Sequence, residues 1–342
     1  MKNKSKIPDF LIKHIPDHPN DIIPFTQEKL NVSKVSIHRH LRILLEKGLV
    51  TKEGSTSKVS YCLKEASKEK FTIFFDSGLD EHDVWMEKFE KKAKELDKNI
   101  YDIVSYGFTE IFNNAIDHSE GTLAIVEAKW EKEYLKITIM DNGVGIFKKI
   151  KKECNLIDER ESILQLAKGK LTTDPDNHSG EGIFFTSRAF EKFQIFSDEI
   201  IYSRDNSEDD YFVETKGDSI KGTAVNMIIK LNSKKTLLHI FKEYSDENDD
   251  GIPGFNKTKI AVQLAQLDQE RYVSRSQAKR LLVNLEKFQH IILDFQKVEV
   301  VGQAFVDEVF RVFKNKHSNI KIEYLNANDD IEFMIKRGIP QV

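Results

Sequence analysis

Apolar positions near the N terminus recur at the spacing of one helix face. They are Leu30, Val32, Ile37, Leu41, Leu44 and Leu45. The spacing predicts a short helix, a turn and a longer helix from about Ser33 to Lys47, with Ser33 as its N-cap and Gly48 at its end. Two short strands are predicted next, around a Gly and Ser turn at residues 54–57.

The middle stretch, about residues 100–232, changes repeatedly between helical and alternating patterns. Helices are predicted over 101–118 and 182–193. Strands are predicted over 122–130, 134–141, 195–203, 210–216 and 222–231. An irregular region at about 147–179 interrupts them. This order predicts an α/β sandwich, one sheet with helices on one face.

The C-terminal stretch, residues 235–342, opens with the acidic loop "SDENDDGIPGF". Ser274 and Gln277 have the spacing of a capping box ahead of an amphipathic helix. Strand, helix, strand and helix patterns follow in that order. Two strands joined through a helix predict a parallel pair and a small α/β domain.

These patterns predict a multidomain α/β protein. Residues 1–70 form a first domain, and residues 100–232 and 235–342 form two more. The charged stretch at about 80–98 is interpreted as a linker helix with a solvated face, within a connecting segment at residues 71–99.

Composition and charge limit the classes of function that the chain can have. The chain is 39% hydrophobic and 32% charged, which is typical of globular domains. Its net charge of −4 argues against a general polyanion binder, yet residues 1–70 hold 14 Lys and Arg against 8 Asp and Glu. That local charge of +6 favours nucleic-acid contact at this end. Cys62 and Cys154 lie outside metal-ligand spacing, and no apolar run would span a membrane, so we expect a cytoplasmic protein without membrane contact.

The first domain resembles the winged helix-turn-helix DNA-binding domains of bacterial regulators. Its "NVSKVSIHRHLRILLEKGLV" is similar to their recognition helix. The resemblance implies that polar side chains off the apolar face reach phosphates and base edges in DNA. They are Lys34, Ser36, His38, Arg39 and Arg42 on the helix, and Lys58 on the wing. A winged helix that serves only protein contacts or dimerisation is the alternative.

Polar residues of the middle domain fall in four groups. Glu110, Asn114 and Asp117 share one face of the predicted helix. A carboxylate and a neutral amide one turn apart suit a divalent ion that carries phosphate. Asp141 ends a strand and is followed by Gly143 and Gly145. The carboxylate can accept from an exocyclic amine, and the glycines let backbone approach a flat ligand.

The other two groups lie further along the chain. Gly180 and Gly182 open a predicted helix, where backbone N–H groups and the helix dipole hold phosphate. Thr223 starts a strand in "KGTAVNMII".

In this order, Glu-x-x-x-Asn, Asp-x-Gly-x-Gly, Gly-x-Gly and Gly-Thr resemble the N, G1 and G2 boxes of the GHKL (Bergerat-fold) ATP-binding family. That family includes DNA gyrase, histidine kinases and anti-sigma-factor serine kinases. The resemblance implies an ATP and Mg²⁺ site, with Asn114 as the Mg²⁺ ligand and Glu110 as the base that activates water. It assigns the remaining residues as follows: Asp141 to the adenine amine, Gly143 and Gly145 to the nucleotide wall, the backbone of Gly180, Glu181 and Gly182 to the phosphates, and Thr223 to a place beside adenine.

The stretch "KLTTDPDNHSG" corresponds to the ATP lid of that family. Lys170, its first residue, and Lys168, two residues earlier, are interpreted either as phosphate partners or as solvated side chains, and the second interpretation is favoured. His118 matches a residue frequent in the family and is expected to be structural.

The C-terminal sequence "ILDFQKVEVVGQAFVDEVFRVF" resembles the STAS-type fold of anti-sigma-factor antagonists, and more closely the uncharacterised STAS-like domain DUF4325. Phosphorylated STAS proteins carry a serine after the central strand. Val301–Phe305 has no hydroxyl here, which argues against phosphorylation by the chain's own ATPase domain. A protein partner for this domain and a homodimer both stay open.

The expected function is an ATP-dependent regulatory switch that couples Mg-ATP binding to DNA binding by the winged helix. Three alternatives stay open. They are a protein serine kinase that acts on a separate partner, a slow ATPase in a defence or assembly complex, and a sensor that binds ATP without turnover.

Overall fold

The computed structural model describes residues 7–46, 49–54, 59–63, 67–76, 78–171, 180–205, 208–215, 217, 219–247, 253–267 and 272–338. It divides into two compact units. The smaller comprises Met1–Ser67 with Trp130–Lys132, and the larger comprises Lys68–Lys129 with Glu133–Val342. Helices and sheets occur together in this chain, so the fold is mixed α/β. None of the helices in the described residues is long and apolar enough to cross a membrane.

The smaller unit is a three-helix cluster with a two-stranded sheet. Its elements are α1 (Ile7–His14), α2 (Ile22–Leu30), α3 (Lys34–Glu46), β1 (Val50–Glu53) and β2 (Ser60–Leu63). β1 and β2 pair antiparallel. The Ser36 backbone N–H donates to Ser33 Oγ at 3.3 Å, so Ser33 caps α3 as predicted. The predicted end of this helix, at Gly48, lies outside the described residues.

Apolar side chains from all three helices and both strands form the core of the smaller unit. They are Ile7, Leu11, Ile15, Ile22, Ile37, Leu41, Leu44, Val50 and Tyr61. The predicted face of α3 supplies Ile37, Leu41 and Leu44, so its opposite face is left to polar residues.

A seven-stranded sheet, in the order β3-β4-β5-β9-β6-β7-β8, forms one layer of the larger unit. Its strands are β3 (Ser67–Phe74), β4 (Leu123–Trp130), β5 (Tyr134–Asp141), β6 (Lys192–Asp198), β7 (Ile200–Asp205), β8 (Glu208–Glu214) and β9 (Ile220–Lys230). Buried and partly exposed residues alternate along β4 and β5, so one face of these strands is covered.

Helices α6 (Lys98–His118) and α9 (Gly182–Ala189) cover that face. Helix α9 is shorter than the predicted 182–193, because Phe190 is already extended and β6 begins at Lys192. The region expected to be irregular contains two amphipathic helices, α7 (Ile146–Glu153) and α8 (Glu161–Lys168).

The segment interpreted as a linker helix packs onto the larger unit through its apolar face, and its polar residues His82, Asp83 and Glu87 are exposed as expected. It begins with β3, an edge strand of the sheet, and continues with α4 (Glu81–Lys88) and α5 (Glu90–Ala93). Trp85 and Phe89 are almost completely buried. The ring of Phe89 lies 4.8 Å from that of Phe108 on α6, so aromatic packing fixes the segment to the sandwich.

The C-terminal part of the larger unit contains a second, three-stranded sheet. Strands β12 (Lys257–Ala261), β13 (His290–Asp294) and β14 (Lys321–Leu325) pair in that order, all parallel. The predicted parallel pair is therefore confirmed, and β12 adds a third strand. The predicted capping box at Ser274 and Gln277 is also present, at the start of α11 (Arg275–Leu282).

Further elements complete this part of the chain. They are α10 (Leu237–Glu243), β10 (Ser245–Glu247), β11 (Pro253–Phe255), a helix that runs through Gln303–Val306, Asp307–Phe313 and Lys314–Lys316, and the last helix (Asp329–Gly338). Strands β10 and β11 pair antiparallel on either side of the acidic loop, whose residues 248–252 lie outside the described residues. We refer to residues 253–267 and 272–338 as the C-terminal segment. It belongs to the same compact unit as the sandwich.

Candidate functional site

Side chains from four distant stretches of sequence line one cavity in the larger unit. Helix α6 contributes Glu110, Asn114 and His118, which lie at i, i+4 and i+8 on one face. The other predicted site residues on the wall are Asp141, Gly145, Gly180, Gly182 and Thr223. Apolar residues make up much of the remaining wall: Ile139, Ile146, Ile150, Leu166, Phe184 and Val225.

The antiparallel pairing of β5 with β9 brings Asp141 and Thr223 together, because Met140 pairs with Ala224 at the adjacent position. Asp141 Oδ1 accepts the backbone N–H of Gly143 at 2.8 Å and that of Thr223 at 3.2 Å. Oδ2 takes part in neither of these two backbone hydrogen bonds. Burial raises the pKa of Asp141, and these N–H donors oppose the rise.

Glycines allow the backbone to pack around this carboxylate. Gly222, with φ of +83°, has no room for a side chain because a Cβ would meet the backbone and carboxylate of Asp141. Gly143 is equally crowded by the backbone of Ser119. Thr223 Oγ1 accepts the N–H of Ile146 at 2.9 Å, which joins β9 to the first residue of α7.

At the other end of the cavity, Asn114 and Glu110 lie one helical turn apart. Asn114 Nδ2 donates to the Glu110 carbonyl at 2.7 Å, so Oδ1 is the atom of this amide that can serve as a ligand. A Cβ at Gly182 would overlap the Glu110 carboxylate. The carboxylate thus lies against the first residue of α9, where the helix dipole favours negative charge.

Two more ionisable groups surround this end. Desolvation raises the pKa of Tyr106, with smaller contributions from the charges of Glu110 and Glu181. Burial also raises the pKa of Glu181, and Lys170 opposes that rise. Acidic groups therefore cluster where α6 meets the N terminus of α9, and bound phosphate there would need a cation.

Lys149 on α7 also lines the cavity and was missed from the sequence. Its amine lies 3.5 Å from Glu120 and 3.8 Å from Glu153. Lys149 follows Gly145 by one helical turn, so a helix that begins at the glycine motif would place it on the same side as the cavity; this spacing could have indicated it from the sequence. In the described part of the chain, no group of three or more His, Cys, Asp and Glu could hold a metal ion by itself.

Lys168 and Lys170 both donate hydrogen bonds to backbone carbonyls of the C-terminal segment. Lys168 is completely buried, and its Nζ donates to the carbonyls of Arg280 at 3.3 Å and Val283 at 2.8 Å. Desolvation lowers the pKa of Lys168 to about 7. Lys170 Nζ donates to the Lys287 carbonyl at 2.9 Å. Both amines contact the C-terminal segment. The complete burial of Lys168 contradicts its interpretation as a solvated side chain, and Lys170 is half-buried.

The polar residues expected to contact DNA lie mainly on the outer face of α3. Those that are exposed are Lys34, His38, Arg39 and Arg42, and Ser36 is half-buried. Arg42 Nε lies 3.6 Å from Glu46 at the end of the same helix. Lys58 lies outside the described residues.

The three parallel strands and their connecting helices define the C-terminal segment as a small α/β fold. The family model of a STAS-like domain of unknown function, DUF4325, matches residues 277–332 within it. This match agrees with the resemblance noted in the sequence. A search of curated proteins finds none that matches the chain.

Proposed function

We propose that this protein is an ATP-dependent regulatory switch. Mg-ATP would bind in the cavity of the larger unit, and its binding would change DNA binding by the smaller unit. The observation that carries the proposal is the convergence of Glu110 and Asn114, Asp141 and Gly145, Gly180 and Gly182, and Thr223 on one cavity. These residues carry the four motifs that resemble the ATP-binding boxes of the GHKL family.

The arrangement around Asp141 supports an adenine site. Two backbone donors orient the carboxylate through Oδ1, and Oδ2 would accept the exocyclic amine of adenine. Apolar walls from Ile139, Ile146 and Val225 suit the faces of a purine ring.

The opposite end supports a phosphate site that needs Mg²⁺. Asn114 Oδ1 would be one oxygen ligand, and phosphate oxygens and water would complete the shell. The acidic groups there would repel a free triphosphate, and a bound Mg²⁺ would neutralise that repulsion. Glu110 would orient or deprotonate a water molecule beside the phosphates.

The exposed polar face of α3 supports DNA binding by the smaller unit. Lys34, Arg39 and Arg42 present cations on one side of a helix whose other side is core. The local charge of residues 1–70 has the sign that phosphate contact requires.

Calorimetric titration tests the nucleotide site. The whole protein is titrated with ATP in the presence and absence of Mg²⁺, beside the variants Asn114→Ala and Asp141→Asn. We expect Mg²⁺-dependent binding that falls at least about tenfold in each variant, the loss of a strong polar contact. If Asn114→Ala bound Mg-ATP as tightly as the parent, the site assignment would be wrong. Gel shifts at low salt, with and without Mg-ATP, test the DNA output.

Slow ATP hydrolysis is a second candidate because Glu110 lies against the N terminus of α9. Incubation with γ-labelled ATP separates it from the kinase alternative. Free phosphate that is lost in Glu110→Gln supports hydrolysis. Label on a protein from lysate supports a kinase, and binding without either product supports a sensor.

A further inference from the structure

We propose that the C-terminal segment controls the nucleotide cavity by holding helix α8, which forms part of the cavity wall. The inference deepens the proposed function, since it names how that same site is regulated. It rests on that function only in taking Mg-ATP as the ligand. The contacts themselves join described residues within one compact unit.

The C-terminal end of α8 is fixed by hydrogen bonds in both directions. Lys168 Nζ donates to the carbonyls of Arg280 and Val283, at the end of α11. In return, Thr258 Oγ1 on β12 donates to the Lys168 carbonyl at 2.7 Å. Thr258 is completely buried, so water cannot readily replace this bond.

A second polar contact lies one turn earlier on α8. Asn284 Nδ2 donates to Gln165 Oε1 at 3.1 Å. Asn284 has φ of 68°, a left-handed conformation that asparagine and glycine tolerate best. The last turn of α8 is therefore held to the C-terminal segment on both its main-chain and its side-chain atoms.

The same turn of α8 reaches the cavity. Leu166, the residue between Gln165 and Ala167 in the chain, lines the cavity. Arg188 Nη2, on α9, donates to the Ala167 carbonyl at 3.1 Å. A shift of α8 would therefore move one cavity wall and disturb the helix whose first residue lies against Glu110.

Aromatic packing provides a parallel connection. Phe184 lines the cavity, and its ring lies 4.5 Å from that of Phe255. Phe255 in turn lies 5.4 Å from Phe288. A Cβ at Gly169 would touch both Phe184 and Phe255, so this packing leaves no slack where α8 ends.

Coupling of this kind acts in both directions by thermodynamic necessity. A change that weakens the contacts between the C-terminal segment and α8 lowers the affinity for the ligand, and ligand binding strengthens those contacts. A partner that altered these contacts to α8 would therefore change the affinity for nucleotide. The contacts that carry this coupling are the hydrogen bonds between the C-terminal ends of α8 and α11.

Thr258→Val in the whole chain tests the proposal, because valine keeps the shape and removes the donor. Asn284→Gly is the second variant and keeps the left-handed backbone. The matched control is Thr138→Val. Thr138 also donates through its hydroxyl, at 2.6 Å to Asn226 Oδ1, but within the large sheet and away from α8. Melting curves establish that each variant is folded.

The first measurement is hydrogen exchange without ligand. We expect faster exchange across 161–171 and 180–189 in Thr258→Val and Asn284→Gly, and parental exchange in Thr138→Val. The second is the Kd of Mg-ATP, which should rise about fivefold or more in the first two variants only.

Parental exchange in both Thr258→Val and Asn284→Gly would overturn the proposal. So would faster exchange with an unchanged Kd. Failure of the parent protein to bind Mg-ATP would instead refute the proposed function, and the exchange measurement would still decide whether the C-terminal segment controls the cavity wall. The two failures are therefore distinguishable.

Discussion

The buried amine of Lys168 makes the stability of the larger unit depend on pH. Its pKa is about 7 in the folded chain, compared with 10.5 for an ordinary lysine. Between these values the unfolded chain holds a proton that the folded chain does not. Folding stability therefore rises with pH across this window. The free-energy cost of burying the charged amine is fully present below about pH 7 and is lost above pH 10.5.

The magnitude follows from the difference between these two pKa values. A difference of about 3.5 corresponds to roughly 5 kcal/mol as a ceiling, since Lys168 is completely buried. The slope inside the window approaches about 1.4 kcal/mol per pH unit. A neutral amine still has two hydrogens, one for each of the carbonyls of Arg280 and Val283, so losing the proton costs neither bond.

Chemical unfolding between pH 6.5 and 10.5 measures this effect. Fluorescence of Trp85, in a Trp130→Phe background, reports on the larger unit because Trp85 lies in its core. Lys168→Met removes the titration but leaves two carbonyls without that donor, so the comparison uses slopes rather than absolute stabilities. We expect a positive difference in slope between parent and variant. Parallel curves would refute the buried-amine argument.

Two further predictions concern the proposed ligands. Arg39→Ala should weaken DNA binding and lower the salt slope by about one, because one phosphate contact is lost. Lys91→Ala, at an exposed position of the larger unit, serves as the control, and gel shifts across a salt series measure the change. Equal slopes in both variants would contradict DNA contact by α3. Mg-ATP binding should weaken as pH falls through the pKa of Asp141, which burial places above its ordinary value of 3.8, because only the ionised carboxylate is a pure acceptor. Titration calorimetry should find this loss in the parent and not in Asp141→Asn, and a shared pH profile would argue against Asp141 as the adenine acceptor.

The elements that the sequence predicted well are those with long, regular periodicity. Helix α6 and strands β4 and β5 begin and end within three residues of their predicted bounds. The helix has 21 residues and each strand has 8, so the hydrophobic periodicity extends over enough residues to define the element. Short helices were harder. Helix α7, with the sequence "IFKKIKKE", buries only Phe147 and Ile150, and a charged run of that kind also suits a loop.

Tertiary contacts explain what local patterns missed in the charged stretches. Residues 80–98 look solvated in sequence, but Trp85 and Phe89 turn inward onto α6. Lys168 follows an apolar helix face and precedes a polar stretch, which is typical of a solvated cation. Its burial depends on carbonyls more than 110 residues away in the chain, and no local pattern contains them. Motif spacing, in contrast, selected seven of the residues that line the cavity, since close backbone approach requires glycine; Gly143 and Glu181, also selected, are not among the lining residues.

Gly182 offers the most direct test of the proposed phosphate site. A Cβ there would overlap the Glu110 carboxylate, so Gly182→Ala must displace either this carboxylate or the first turn of α9. Overpacking of this kind costs about 1–3 kcal/mol. Gly78→Ala is the matched control, because an added Cβ at Gly78 meets nothing within 4 Å.

If Glu110 and the N terminus of α9 form one phosphate site, Gly182→Ala should lose Mg-ATP affinity by about tenfold or more and any ATP hydrolysis with it. The double variant Gly182→Ala, Glu110→Ala removes the overlapping carboxylate, so it should regain stability but not hydrolysis. Calorimetry and thermal unfolding measure the two effects separately. Gly182→Ala with parental affinity would show that the ligand does not use this end of the cavity. Recovered hydrolysis in the double variant would show that Glu110 is not the group that activates water.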